Sequence, residues 1–218
     1  MADQLAPIEA RILGSLVEKS LTTPELYPLT LNSVVAACNQ KTSRDPVMTL
    51  GHAEVEKALN GLVERKFAGR IHEPGARAAK YSHHIDVLLA SEDPKLIGVI
   101  CVLLLRGPQT LGEIKTRTER LCRFDSISQV EEFLQGLAAR VDGPIVSRLP
   151  RQPGQKEARY QQLFTPSAPA SEPAVPAAAF EESRSDRLSL LEERVEALEA
   201  AVQRLEAIKR ESAQNEQS

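Results

Sequence analysis

The chain has 218 residues, 26% charged and 42% hydrophobic, which is an ordinary globular composition with room for one large domain or two small ones. Aromatic residues make up only 4% and Trp is absent, so the core must be aliphatic. The net charge of −3 is unevenly placed: residues 1–166 carry 21 Lys/Arg against 19 Asp/Glu, and residues 167–218 carry 6 against 11. A mild positive excess on the first part permits nucleic-acid contact without indicating it.

The opening Met1–Leu13 has no basic region followed by an apolar stretch, so no signal peptide is expected. The most apolar run, Leu96–Leu105, is about ten residues and well short of the roughly 20 that span a bilayer. Cys38, Cys101 and Cys122 are odd in number and widely spaced, which fits a reducing compartment and no disulfide framework. A cytoplasmic protein is expected. Cys101, inside Val99–Leu105, reads as a small core residue.

In chain order, Ile8, Ile12, Leu13, Leu16 and Val17 form an apolar stripe at helical spacing, with Pro7 suited to the first turn. Thr22-Thr23-Pro24 ends that helix. A second helix is predicted over Leu31–Cys38, capped by Thr30 or Asn32, followed by a polar loop from Asn39 to Pro46. A third is predicted from His52 to Lys66 through Val55, Leu59, Leu62 and Val63. Ala68–Glu73 and Ala79–His84, around a Pro74-Gly75 turn, predict a hairpin. The plan then recurs as helices over Lys95–Arg106, Leu111–Leu121 and Ser128–Arg140, with Ser128 and Glu131 as a capping box. A second hairpin, Ile145–Leu149 and Ala158–Phe164, turns around Pro153-Gly154.

The recurrence is visible in the residues themselves. Val55-Glu56, Leu59, Gly61-Leu62 and Arg65 return 75 positions later as Val130-Glu131, Leu134, Gly136-Leu137 and Arg140. Ile12, Leu13, Leu16, Val17 and Thr23 return 87 positions later as Val99, Ile100, Leu103, Leu104 and Thr110. Lys80-Tyr81 and Arg159-Tyr160 close the two units. Helix, helix, helix and hairpin, twice over, is the pattern of tandem winged-helix modules.

After Phe164 the Pro/Ala-rich composition reads as an extended linker. From Arg187 the pattern is heptad, with Leu188, Val195 and Val202 at a and Leu191, Leu198 and Leu205 at d. Val at a with Leu at d favours a parallel two-stranded coil. A single helix folding back on the body could use the same stripe. The expected organisation is mainly α with small β-hairpins (α+β): winged-helix domains at 1–90 and 91–165, a linker at 166–183, a coiled-coil helix at 184–211 and a disordered tail at 212–218.

Several segments together resemble a known family. They are Leu16–Lys19, Thr22–Glu25, Tyr27–Leu29, above all Ala37–Met48, then Leu103–Gly107 and Asp142–Pro144. Over about residues 5–165 the chain resembles the YceH-like family of bacterial tandem winged-helix proteins, whose function is not established. The resemblance implies the fold and implies no catalytic or ligand residues.

No cofactor, metal or enzymatic activity is expected. The cysteines are far apart and no Walker or Rossmann spacing occurs. His83 and His84, adjacent on a strand, point to opposite faces and read as surface residues of the hairpin. The third helices carry Glu54, Glu56, Glu64, Glu131 and Glu132, which phosphates repel, so simple major-groove readout is disfavoured. Basic residues sit on the hairpins, as Arg70, Arg77 and Lys80, then Arg148, Arg151, Lys156 and Arg159, and on the loop as Lys41 and Arg44. These nine are the candidate contacts to double-stranded DNA. The same residues could merely solvate strand edges, and Arg44 could pair with Asp45 or with an acid of the third helix. Lys115, Arg117, Arg120 and Arg123 read first as partners of acids on their own helix. Two functions follow: a dimeric DNA-binding or transcription-associated protein, favoured by the hairpin charges, and a protein-interaction scaffold using the acidic third helices. A homodimer through residues 188–205 fits either.

Overall fold

The computed structural model describes residues 4–72, 74–75, 78–151 and 154–166, all within one compact unit spanning residues 1–167. The predicted coiled coil, with Leu188, Leu191, Val195, Leu198, Val202 and Leu205, lies outside the described residues, as does the linker beyond Pro166. The described part is a mixed α/β fold with seven α-helices and small antiparallel sheets.

Helix α1 (Pro7–Thr22) starts at proline, and the Glu9 carboxylate closes its first turn by accepting from the Ala6 N–H at 2.8 Å. A short strand β1 (Leu29–Thr30) leads into α2 (Leu31–Cys38), where the Thr30 hydroxyl accepts from the Ser33 N–H. Next come α3 (His52–Glu64) and the hairpin β2 (Ala68–Ile71) and β3 (Lys80–His83). The sheet order is β1-β3-β2, with buried Tyr81 at its centre, opposite Leu29 on one side and Arg70 on the other.

A short helix α4 (Ile85–Leu89) leads into the second half. There, α5 (Pro94–Arg106), α6 (Leu111–Thr118) and α7 (Ile127–Ala138) precede β4 (Val146–Arg148) and β5 (Tyr160–Gln162). Tyr160 repeats the role of Tyr81: it is buried, stands opposite Arg148, and forms an isolated bridge with Gln109 on its other side. Thr110, next to that bridge, caps α6 as Thr30 caps α2.

Several sequence expectations shift here. The counterpart of Thr110 is Thr30, because both cap the helix after the first edge pairing, whereas Thr23 is the C-cap of α1. The cap of α7 is Ser126, whose hydroxyl accepts from the Gln129 N–H at 3.1 Å, so Ser128 lies inside the helix and forms no capping box. Helix α6 ends at Thr118 rather than Leu121, where Leu121 and Cys122 fold back and donate to the Thr118 carbonyl. The two-residue β1 and the five-residue α4 are too short to show a period in sequence.

The two halves share a continuous aliphatic core. At its centre α1 and α5 pack against each other, and each is buried on all sides over its middle turns. Gly14 permits the approach, since a Cβ there would lie 2.9 Å from Cγ of Leu105. The Cys101 thiol donates to the Gly14 carbonyl at 3.4 Å, so positions 87 apart meet at the crossing. The ends of the unit are also joined, with the Leu5 N–H donating to the Phe164 carbonyl at 2.6 Å.

Leu59 and Leu134, equivalent in the repeat, are both fully buried. Replacing either with Ala should destabilise the chain by roughly 2–5 kcal/mol. Because the core is continuous, urea unfolding followed by circular dichroism should show one transition, moved to lower urea by either change. Two separated transitions would show that the halves unfold independently.

Candidate functional site

The second hairpin gathers positive charge. A cleft of about 480 Å³ is lined by Arg148 on β4, Arg151 and Lys156 in the turn, and the first residues of α6 (Leu111, Gly112) and α7 (Ile127). Glu157 is the carboxylate lining it, so three cations face one acid. Ile127 is 51% exposed at the start of α7 and gives the cleft an apolar lip. Helix N-termini present free N–H groups and a positive dipole end, which favour an anion in such a cleft. The fold builds this place simply: β4 and β5 carry the turn, and the capping residues Thr110 and Ser126 begin α6 and α7.

Arg159 stands apart from that group. Its guanidinium donates to the Pro108 carbonyl at 2.9 Å and pairs with Glu113 at 3.1 Å. Glu113 also pairs with Arg117 one helical turn on, at 3.2 Å, so α6 does satisfy part of its own charge. On the first sheet, Arg70 is exposed and lies 6.0 Å over the Tyr81 ring, and half-buried Lys80 pairs through its backbone with Ile71. Arg77 lies outside the described residues. Lys41 is exposed on the loop.

Arg44 has an internal role, which removes it from the candidate contacts to phosphate. Its side chain is fully enclosed and binds Glu18 of α1 through both nitrogens, at 3.2 and 2.6 Å. It also donates to the carbonyls of Ala37 and Ser43. The partner is Glu18, 26 residues away, and neither neighbouring Asp45 nor an acid of α3. Buried Arg11, which the sequence pattern did not single out, donates to the carbonyls of Cys38 and Pro46. Burial lowers the Arg11 pKa, and the charge of Arg44 lowers it further. Asn39 closes the loop by donating to the Leu50 carbonyl and accepting from its N–H, at 2.9 and 2.8 Å. Asn39 and Arg44 of the 39–48 loop are thus occupied within the fold.

His83 is also more internal than a surface hairpin residue. Its ring is within 2.9 Å of the Ser20 hydroxyl and tilts against Tyr27, whose hydroxyl accepts from the His83 N–H. Burial lowers its pKa, while that of Tyr27 rises to about 12 for the same reason. His84 is exposed. All three cysteines are free, and burial pushes the Cys38, Cys101 and Cys122 thiols up, away from reactive thiolate. Among the described residues no group of three His, Cys, Asp or Glu could hold a metal ion, and no helix is long and apolar enough to cross a membrane.

A family profile described as "Protein of unknown function, DUF480" matches residues 5–155. A UPF0502 protein of Aeromonas hydrophila is 41% identical over 209 residues, covering 92% of this chain and 94% of its own. A UPF0502 protein of Klebsiella pneumoniae is 43% identical over 213 residues, covering 95% of each. One of Vibrio cholerae is 46% identical over 167 residues, covering 74% of this chain and 76% of its own. The chain belongs to this bacterial DUF480/UPF0502 family, with which the YceH-like resemblance is consistent.

The Glu18–Arg44 pair generates a stability prediction. Glu18→Gln leaves an enclosed guanidinium without its counter-charge, and breaking a buried pair from one side costs about 3–5 kcal/mol. Glu18 keeps 16% of its side chain exposed, which places the expected loss at the lower end of that range. Replacing both together, Glu18→Leu with Arg44→Met, should recover much of the loss in urea titrations. A loss no greater than that of an exposed pair would mean that solvent reaches Arg44.

Proposed function

We propose that the chain is a non-enzymatic tandem winged-helix protein that binds duplex DNA through its second hairpin, as a transcription-associated factor. The winged-helix reading is supported by the order of the first half, in which a helix, a short edge strand, two helices and a hairpin build a three-stranded β1-β3-β2 sheet. The second half repeats it, with the Gln109–Tyr160 bridge in the place of the edge strand.

The observation that carries the DNA reading is the convergence of Arg148, Arg151 and Lys156 beside the starts of α6 and α7. In winged-helix proteins that place lies between the recognition helix and the wing, where phosphates run. Exposed Glu56 and Glu64 on α3, like exposed Glu132 on α7, make the third-helix faces unsuitable for phosphate, so contact falls to the hairpin. The reading is backbone contact by the wing, with no assigned base readout. The exposed acids of α3 favour a protein partner for the first half, which is the scaffold reading in its most specific form.

Two measurements test these statements. Changing Arg148, Arg151 and Lys156 together to Ala should weaken binding of any duplex and reduce the salt slope by about 0.9 per lost contact. If full-length protein binds no duplex at low salt, or the triple variant keeps its slope, the scaffold reading replaces this one. The second concerns the dimer proposed from the heptads at 188–205, where Val and Leu would supply the seam and the g–e pairs Arg187–Glu192 and Arg194–Glu199 would add only about 0.2–1 kcal/mol each. Sedimentation should show a dimer that a Leu191, Leu198 and Leu205 to Asp variant converts to monomer. A parent chain already monomeric at micromolar concentration would remove the dimer.

A further inference from the structure

A second concave site lies away from the hairpins, and its charge is out of balance. A groove of about 580 Å³ runs between the C-terminal ends of α1 and α5, the 39–48 loop, and α6 with the turn after it. Lys19, Arg106, Arg117 and Arg120 line it, together with the carboxylates Glu18 and Glu119. The two acids do not neutralise the four cations, because Glu18 is bound through both oxygens by enclosed Arg44 and also pairs with Lys19 at 3.8 Å. Arg117 pairs with Glu113 on the outer side of α6, but Glu113 is shared with Arg159. The negative ends of α1 and α5 favour Lys19 and Arg106. The end of α6 does the same for Arg120, two residues beyond Thr118, but among the described residues no carboxylate pairs with Arg106 or Arg120.

Arg106 is the centre of this excess. It is half-buried and donates to the Ser43 hydroxyl at 2.6 Å, which holds its guanidinium at the groove wall. Burial lowers its pKa and the charge of Arg117 lowers it further, against the opposing charge of Glu18. Hydroxyls surround it, with Thr42 and Ser43 on the loop side and Thr116 on α6, over a short apolar floor of Val102 and Leu105. A positive excess, fixed hydroxyls and an apolar floor in a space within the roughly 300–1,000 Å³ of ligand cavities match one ligand chemistry. We propose that this groove binds a small phosphate-bearing molecule, its phosphoryl oxygens taken by Arg106 and Arg120 and by the hydroxyls of Thr42 and Ser43. Arg106 and Arg120 arrive from α5 and from the turn after α6, and Ser43 from the loop, so an occupant joins the first half to the second. The site is separate from the cleft at the second hairpin and does not rest on the DNA reading.

Pyrophosphate is the probe, added to the full chain at constant ionic strength with chloride as the control. The thermal unfolding midpoint should rise with pyrophosphate and saturate, as mass action requires of a ligand that binds the folded state alone. Arg106→Gln and Arg120→Gln should each raise the pyrophosphate Kd about tenfold, the loss of a charge-assisted contact. Exposed Arg120 carries the test even if Arg106→Gln, which gives up the Ser43 contact, unfolds. In the Arg148, Arg151 and Lys156 to Ala variant the pyrophosphate binding that depends on Arg106 and Arg120 should persist, which separates a free phosphate ligand from the duplex backbone. The proposal is overturned if pyrophosphate gives no saturable shift, if Arg120→Gln leaves the Kd unchanged, or if only the hairpin variant loses binding.

Discussion

The close crossing of α1 and α5 is the constraint on which the rest of the described unit depends. Two helices approach this tightly only where a side chain is missing, and Gly14 supplies that gap against Leu105. The Cys101 thiol donates to the Gly14 carbonyl at this crossing. Each helix is consequently covered on all sides, by its own module and by the other helix. The remaining helices are amphipathic and face inward toward this pair, as α3 does through Val55, Leu59 and Leu62 and α7 through Val130, Leu134 and Leu137. The hairpins lie at the periphery of that arrangement and are free to carry charge.

The polar loop between α2 and α3 follows from the same crossing. It passes over the joint between the halves, where its backbone would otherwise lack partners. Arg11 and Arg44 supply donors to the Pro46 and Ser43 carbonyls, Asn39 pairs with both backbone groups of Leu50, and the Asp45 N–H reaches the Leu105 carbonyl on α5. Placing two guanidiniums near one another under a loop is costly. The bidentate Glu18–Arg44 contact and the carbonyl acceptors offset that cost. Arg44 is therefore taken up by the joint itself, because a loop crossing it needs such a donor for its own backbone.

The hairpin charges show the opposite case. Arg70 and Arg148 were visible as basic residues of two predicted hairpins, and both stand across from the central tyrosine of their sheet. What separates them is the surroundings. Arg148 shares a cleft with Arg151, Lys156 and the starts of two helices, while Arg70 lies over the Tyr81 ring. Arg159 was indistinguishable from its neighbours in sequence and turns instead to Glu113, 46 positions away. Such pairings depend on contacts between distant segments, and no local pattern encodes them.

Read alone, the sequence determined the repeated order of elements, because periodicity, capping residues and turn pairs are local properties of the chain. Thr30, one of two candidates, caps α2, Val55 and Val130 face inward, and the hairpin strands fall close to where alternation places them. It also held one clue to the joint between the halves: Leu96–Leu105 is apolar on every face, which marks a helix with no exposed side. Only the tertiary structure decided what that helix packs against, which of the basic residues are enclosed, and that Lys19, Arg106 and Arg120 border one groove. Those outcomes follow from the α1–α5 crossing, where residues from both halves come within contact distance, and distance in space is not written into any local period of the chain.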